Sequence, residues 1–199
     1  MEDALSPTPE RREKILAISA ELFAAKGIAA TTVRDIGEAA GVFSGSLYHH
    51  FKSKNAIVTE ILGDLMNDVH RRFARVAEHT RTPRETLQGL IRETLVTIDQ
   101  HPHATAIYQN DRQYLRDNGL LEPVDSASRG VRDYWMTAIR AGIADGSLRD
   151  DIPAEIFYRS VRDSLWATMH WPIRRGYSTP EFADLLAKLF FEGFAARRD

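Results

Sequence analysis

The sequence contains no cysteine, which excludes disulfides, thiolate metal sites and a cysteine nucleophile. It holds no apolar run near the roughly 20 residues that a membrane helix requires. Its opening stretch, MEDALSPTPERREKIL, lacks the charged-then-apolar layout of a signal peptide. A cytoplasmic protein with no membrane association is therefore expected. A Gly-rich phosphate loop, an HExxH pair and a nucleophile elbow are also missing, so the usual sequence grounds for an enzyme are absent. His49 and His50 are adjacent, and neighbouring helical residues do not face one another, so no metal site is read there. Neither a metal nor a cofactor is expected. Charge of one sign is lacking as well: 26 basic and 28 acidic residues leave a net charge of −2. That argues against a surface basic all over, but a local basic patch remains open.

What is present is helical periodicity. Ile15, Ile18 and Leu22, flanked by Leu16, Ala20 and Phe23, form a broad apolar stripe that ends at Gly27. Thr32 with Asp35 three residues on has the layout of a capping box, opening a short helix with Val33, Ile36 and Ala40 on one face. Gly41 supplies the left-handed residue of a tight helix exit. A third short helix, Ser44 to about Phe51, buries Leu47 and Phe51. Ser53 is placed to cap a long fourth helix through Val58, Ile61, Leu65, Val69 and Phe73. Beyond His79, turn residues at Pro83, Pro102, Gly119, Gly146, Pro153 and Gly176 separate further helical segments, and no run alternates as a strand would. The expected fold is all-α with about nine helices. It divides into an N-terminal unit at residues 1–56 and a larger helical unit at 57–199.

Two short helices across a glycine turn, the second apolar on one face only, have the form of a helix-turn-helix. The second helix of such a pair enters the major groove. Between Val42 and Lys54 two lysines and two histidines meet no acid. Ser44 and Ser46 are short enough to reach base edges, Gly45 admits close backbone approach, and Tyr48, His49, Lys52 and Lys54 supply phosphate donors. A three-helix adaptor for protein contacts is the alternative this pattern leaves open.

The run from Ile15 to Leu62, with ELFAAKG, TTVRDIGEAAGV and GSLYHHFKSK, resembles the DNA-binding domain of the TetR family of bacterial repressors. The resemblance implies that Thr32, Arg34, Ser44, Gly45, Ser46, Tyr48, His49, Lys52 and Lys54 lie at or near double-stranded operator DNA. His49 stands where a second tyrosine is common. The resemblance also implies a homodimer whose second domain takes a small-molecule effector.

In the C-terminal part, Phe182, Leu185, Leu186, Leu189, Phe190, Gly193 and Phe194 keep helical spacing. Leu186, Leu189, Phe190 and Phe194 are the expected dimer contacts, in a four-helix bundle with the helix near Pro153–Trp171. On that penultimate helix Phe157, Val161 and Leu165 form a core column. Beside it run Tyr158, Arg162, Trp166 and His170. Apolar walls with a few placed polar groups suit a ligand pocket. Arg162, Trp166 and His170, with Tyr108 and Gln109 from IYQND, are the expected ligand residues. IYQND, RDSLW and MHW resemble the KstR-type repressors of steroid catabolism in actinobacteria, which implies an acyl-CoA thioester as effector.

Overall fold

The structure is a computed structural model, described for residues 9–193. Ten α-helices and two short 3-10 turns make up these residues, and no strand occurs among them. They are α1 (Pro9–Lys26), α2 (Val33–Ala40), α3 (Ser44–His50), α4 (Lys54–His79), α5 (Pro83–Gln100), α6 (Pro102–Asn110), α7 (Arg112–Asp117), α8 (Leu121–Ala144), α9 (Ala154–Ala167) and α10 (Thr179–Glu192).

The local signals act where they stand in the sequence. The Thr32 hydroxyl accepts from the Asp35 amide, and the Asp35 carboxylate accepts from the Thr32 amide at 2.8 Å. Ser53 caps α4 through the Ala56 amide at 3.1 Å. Thr82 with Glu85 and Ser178 with Glu181 box the starts of α5 and α10. Gly41 ends α2 at φ +69°, a conformation that costs other residues strain.

By packing, the chain falls into two compact units that do not follow its linear order. The first runs up to Met66 and also takes His101–Ser126; the second comprises Asn67–Gln100 and the chain from Ala127 onward. The divisions fall inside α4, between α5 and α6, and inside α8. In the first unit α1 packs against α2 and α6. Its buried residues include Ile15, Phe23, Ile28, Ile36, Leu47, Ile57, Leu62, Ile107 and Leu115.

The second unit has its own core, in which Phe73, Leu90, Leu95, Trp135, Ile139, Val161, Leu165, Phe182 and Leu186 come together. Phe73 meets Trp135 edge to face at 6.0 Å. Asp68 is buried beside this core, its carboxylate accepting from Arg71 and, at 2.7 Å, from Arg72. Arg72 also donates to Glu93 on α5 at 2.9 Å. Such a network fixes the pairing of α4 with α5, because either charge left alone would be strongly destabilising.

Two expectations are corrected here. Leu186 is 4% exposed and belongs to the protomer's own core, whereas its neighbour Leu185 is 47% exposed. The apolar stripe of α10 is wide enough to include both, and packing against α5 decides which edge is turned inward. Leu189 and Phe190 are half-buried against the same core; Phe194 lies outside the described residues. On α9, Tyr158 is buried with Val161 and Leu165. The helix stops at Ala167, so His170 falls in the 3-10 turn Thr168–His170 and is exposed. Trp171 precedes Pro172 and is extended at φ −85°, ψ 115°, as a residue before proline prefers.

Candidate DNA-binding site and effector cavity

The helix-turn-helix is α2 and α3. Gly37 is buried, and a β-carbon there would stand 3.0 Å from the Val42 carbonyl oxygen and 3.2 Å from the Ser44 hydroxyl. A side chain at position 37 would press on the turn, which would have to give by a few tenths of an ångström to admit it. Leu47 and Phe51 anchor α3 in the core. Gly45, Tyr48 and His49 are exposed, and Ser44 and Ser46 are half-buried. Thr32, Arg34 and Lys52 are exposed as well. Arg34 pairs with Glu38 one turn along at 2.8 Å, an exposed ion pair of little energetic weight. Burial pushes His50 below the ordinary histidine range, with Arg11, His49 and Arg12 adding in the same sense.

Lys54 has different partners from those expected. Its ammonium donates to the carbonyls of Ile28 (2.6 Å) and Thr31 (2.9 Å), and it lies 5.4 Å from the Tyr114 ring centroid. Burial lowers its pKa from the usual lysine value. The same turn is held by Asp111, whose carboxylate accepts from the Ile28 amide at 3.0 Å. Tyr114 completes the cluster by donating to Asn55 at 2.8 Å. The amine thus satisfies buried backbone of the α1–α2 turn, and Asp111 of IYQND does the same from α6's C-cap position. Neither role was visible in the sequence, since each depends on residues distant in the chain.

The five expected ligand residues are divided between the two units. Tyr108 and Gln109 belong to the first unit and are half-buried, with the Arg112 guanidinium 4.9 Å over the Tyr108 ring. Arg162, Trp166 and His170 belong to the second. Arg162 is held by the adjacent Asp163 at 2.6 Å and by the Tyr158 ring. A cavity of about 630 Å³ lies instead between α4, the start of α5 and α8, all within the second unit, and none of the five lines it. Its wall combines Ala77, Pro83, Ala138 and Ala141 with threonine hydroxyls, His70, Arg81, Asp133 and Tyr134. His70 places its Nε2 3.2 Å from the Ala127 carbonyl and its ring edge-on to Tyr134 at 5.8 Å. A β-carbon at Gly130 would come within 2.6 Å of that ring, so the imidazole fits because Gly130 has no side chain. Volume and lining are those of a small-molecule site. Among the described residues no His, Asp and Glu cluster is arranged to hold a metal ion, and no helix is long and apolar enough to cross a membrane.

Comparison with known proteins agrees with this architecture. Residues 15–61 match the model for bacterial regulatory proteins of the tetR family, and residues 80–194 match a tetracyclin repressor-like C-terminal domain. The HTH-type transcriptional repressor KstR2 of Rhodococcus jostii is 39% identical over 169 residues, covering 85% of this chain and 83% of that protein. The solved ketosteroid transcriptional regulator KstR2 of Mycobacterium tuberculosis superposes with a TM-score of 0.85 at 31% identity, covering 96% of this chain and 98% of the other. FadR of Bacillus subtilis, solved with stearoyl-CoA, shares the fold at 18% identity with a TM-score of 0.74, over 92% and 99% of the two chains. The chain belongs to the tetR family of bacterial regulatory proteins, as a KstR2-like DNA-binding transcriptional repressor and not an enzyme.

Proposed function

We propose that this repressor binds its operator as a homodimer and leaves it when an acyl-CoA thioester from steroid degradation enters the α4–α5–α8 cavity. The carrying observation is that α4 does two things: it provides His70 and Ala77 to the cavity, and its first residue, Lys54, is bonded to the turn that leads into α2. An effector that favours one setting of α4 therefore acts on the helix-turn-helix through a continuous helix. Its leverage equals its differential affinity for the DNA-bound and free conformers, and DNA weakens effector binding by the same factor. The ketosteroid regulator KstR2 and the stearoyl-CoA complex of FadR support the effector class. The cavity is large enough for a fused-ring acyl group, and Arg81 at its wall suits the anionic carrier.

Ala141 and Thr137 are exposed one turn apart on the α8 wall, so a large ring at Ala141 fills the cavity without entering the core. Ala141→Trp is expected to keep operator affinity within about 3-fold, as surface substitutions do. It should raise the effector concentration for release at least ~10-fold, about 1.4 kcal/mol. The measurement is release of fluorescent operator by a steroid-ring acyl-CoA, a long-chain fatty acyl-CoA and free CoA. An unaltered response in Ala141→Trp would place the effector elsewhere. Arg162→Met and Trp166→Leu, run beside it, report whether the ligand also extends to α9.

At the DNA, Ser46 is assigned to base edges and Thr32, Arg34, Tyr48, His49 and Lys52 to the backbone. Ser46→Ala is expected to change the preferred base at one operator position, by about 1–3 kcal/mol of discrimination, with non-specific affinity unchanged. A loss spread evenly over all duplexes would make Ser46 a backbone or fold residue.

A further inference from the structure

We propose that Phe43 is a specificity-determining residue that reads a thymine methyl group in the major groove. Phe43 is the most exposed large apolar side chain among the described residues, at 87%. It occupies the N-cap of α3 and makes no capping bond there. Side chains cap α2, α4, α5 and α10 (Thr32, Ser53, Thr82 and Ser178), whereas α6, α7 and α9 share with α3 the lack of a side-chain cap; what sets Phe43 apart is its exposure. A cap hydroxyl at position 43 would satisfy a first-turn amide and remove an apolar ring from water. The ring is unfavourable to the isolated protein on both counts, and the second count vanishes once something covers it.

The surroundings identify what covers it. Phe43 belongs to the stretch from Val42 to Lys54, which holds no acid and presents His49 and Lys52 to solvent. That face suits a polyanion better than an acidic partner. Residues at the start of a recognition helix face base edges. Of the groups displayed in the major groove, the thymine C5-methyl is the apolar one, and phenylalanine is among the side chains that contact it. The neighbouring Ser44 and Ser46 are short, so the ring is not held away from the groove floor by longer side chains on its own helix. The assignment rests on α3 being the recognition helix.

Deoxyuridine tests this by removing only that methyl. A preferred duplex is first selected from a random pool with the wild-type protein, and each thymine in it is then replaced in turn by deoxyuridine. One position per half-site is expected at which the replacement weakens wild-type binding about 3- to 10-fold. Phe43→Ser, which supplies a cap hydroxyl and so does not endanger the helix, should bind thymine and deoxyuridine duplexes equally. Phe43→Leu should retain part of the difference. Equal sensitivity of wild type and Phe43→Ser at every position, or no sensitive position at all, would overturn the assignment. The latter result with a weaker Phe43→Ser would point to backbone contact or to a protein partner. A wild type that selects no preferred duplex would overturn the repressor reading as well.

Discussion

Leu185→Glu is expected to give a folded monomer that no longer holds its operator. Leu185 is 47% exposed on α10, while Leu186 and Phe182 on the same helix carry the core contact. A carboxylate at position 185 therefore leaves the protomer intact. In a dimer contact it would be buried without a partner, at a cost of several kcal/mol. Two recognition helices must meet successive major grooves about 34–36 Å apart. Separating the protomers turns one bivalent event into two weak ones, with a loss of about 10²- to 10⁴-fold. Sedimentation with circular dichroism gives the state and the fold, and operator titration the affinity. A folded mutant dimer would move the interface away from this edge, with exposed Ile156 on α9 as the next residue to change. Phe190→Glu is a poorer probe, because Phe190 also packs against the protomer's own core.

The second large effect concerns the α1–α2 turn. Lys54→Met keeps the length of the side chain but removes the donor shared by the Ile28 and Thr31 carbonyls. Ile28 and Thr31 are themselves fully buried. Each carbonyl left without a partner costs about 1–3 kcal/mol, and Asp111→Ala imposes a similar penalty at the Ile28 amide. Because both substitutions free the same turn, the double mutant should lose less than the sum. Hydrogen exchange at residues 27–32 reads this unit directly. The salt dependence of DNA binding is the control: a lysine removed from a phosphate lowers its slope by roughly 1. An unchanged slope with faster exchange is expected for Lys54→Met. A lower slope with unchanged exchange would return Lys54 to the DNA backbone.

Both cases turn on residues distant in the chain, which sequence alone does not bring together. Thr32 with Asp35, Gly41 and Ser53 act over three or four residues, so their patterns can be read directly from the chain. The helix-turn-helix is built almost entirely from such short-range devices. The α10 stripe is also local, but choosing between Leu185 and Leu186 requires knowing where α5 lies. Arg162 presented a charge in an apolar row, and only the structure shows Asp163 taking it up. The α4–α5–α8 cavity was not legible for the same reason: spacing along one helix says nothing about the room left beside His70, which depends on Gly130 of α8. Phe43 is an intermediate case, since its failure as a cap is legible in sequence whereas its exposure is not.

The interleaving of the two units has a consequence during synthesis. The chain emerges in order, at about 5–20 residues per second, and the compact unit that holds the helix-turn-helix needs α6 and α7 as well as everything up to Met66. Until Asp111 and Tyr114 have left the ribosome, the Ile28 amide lacks its acceptor and Lys54 lacks its covering ring. In the meantime α5, which belongs to the other unit, has already emerged. A nascent chain thus spends several seconds with its first three helices synthesised but their supporting turn incomplete. The complete support of the helix-turn-helix arrives only after more than half of the polypeptide exists, and an N-terminal fragment released by premature termination at Met66 is expected to make a poor competitor for the operator.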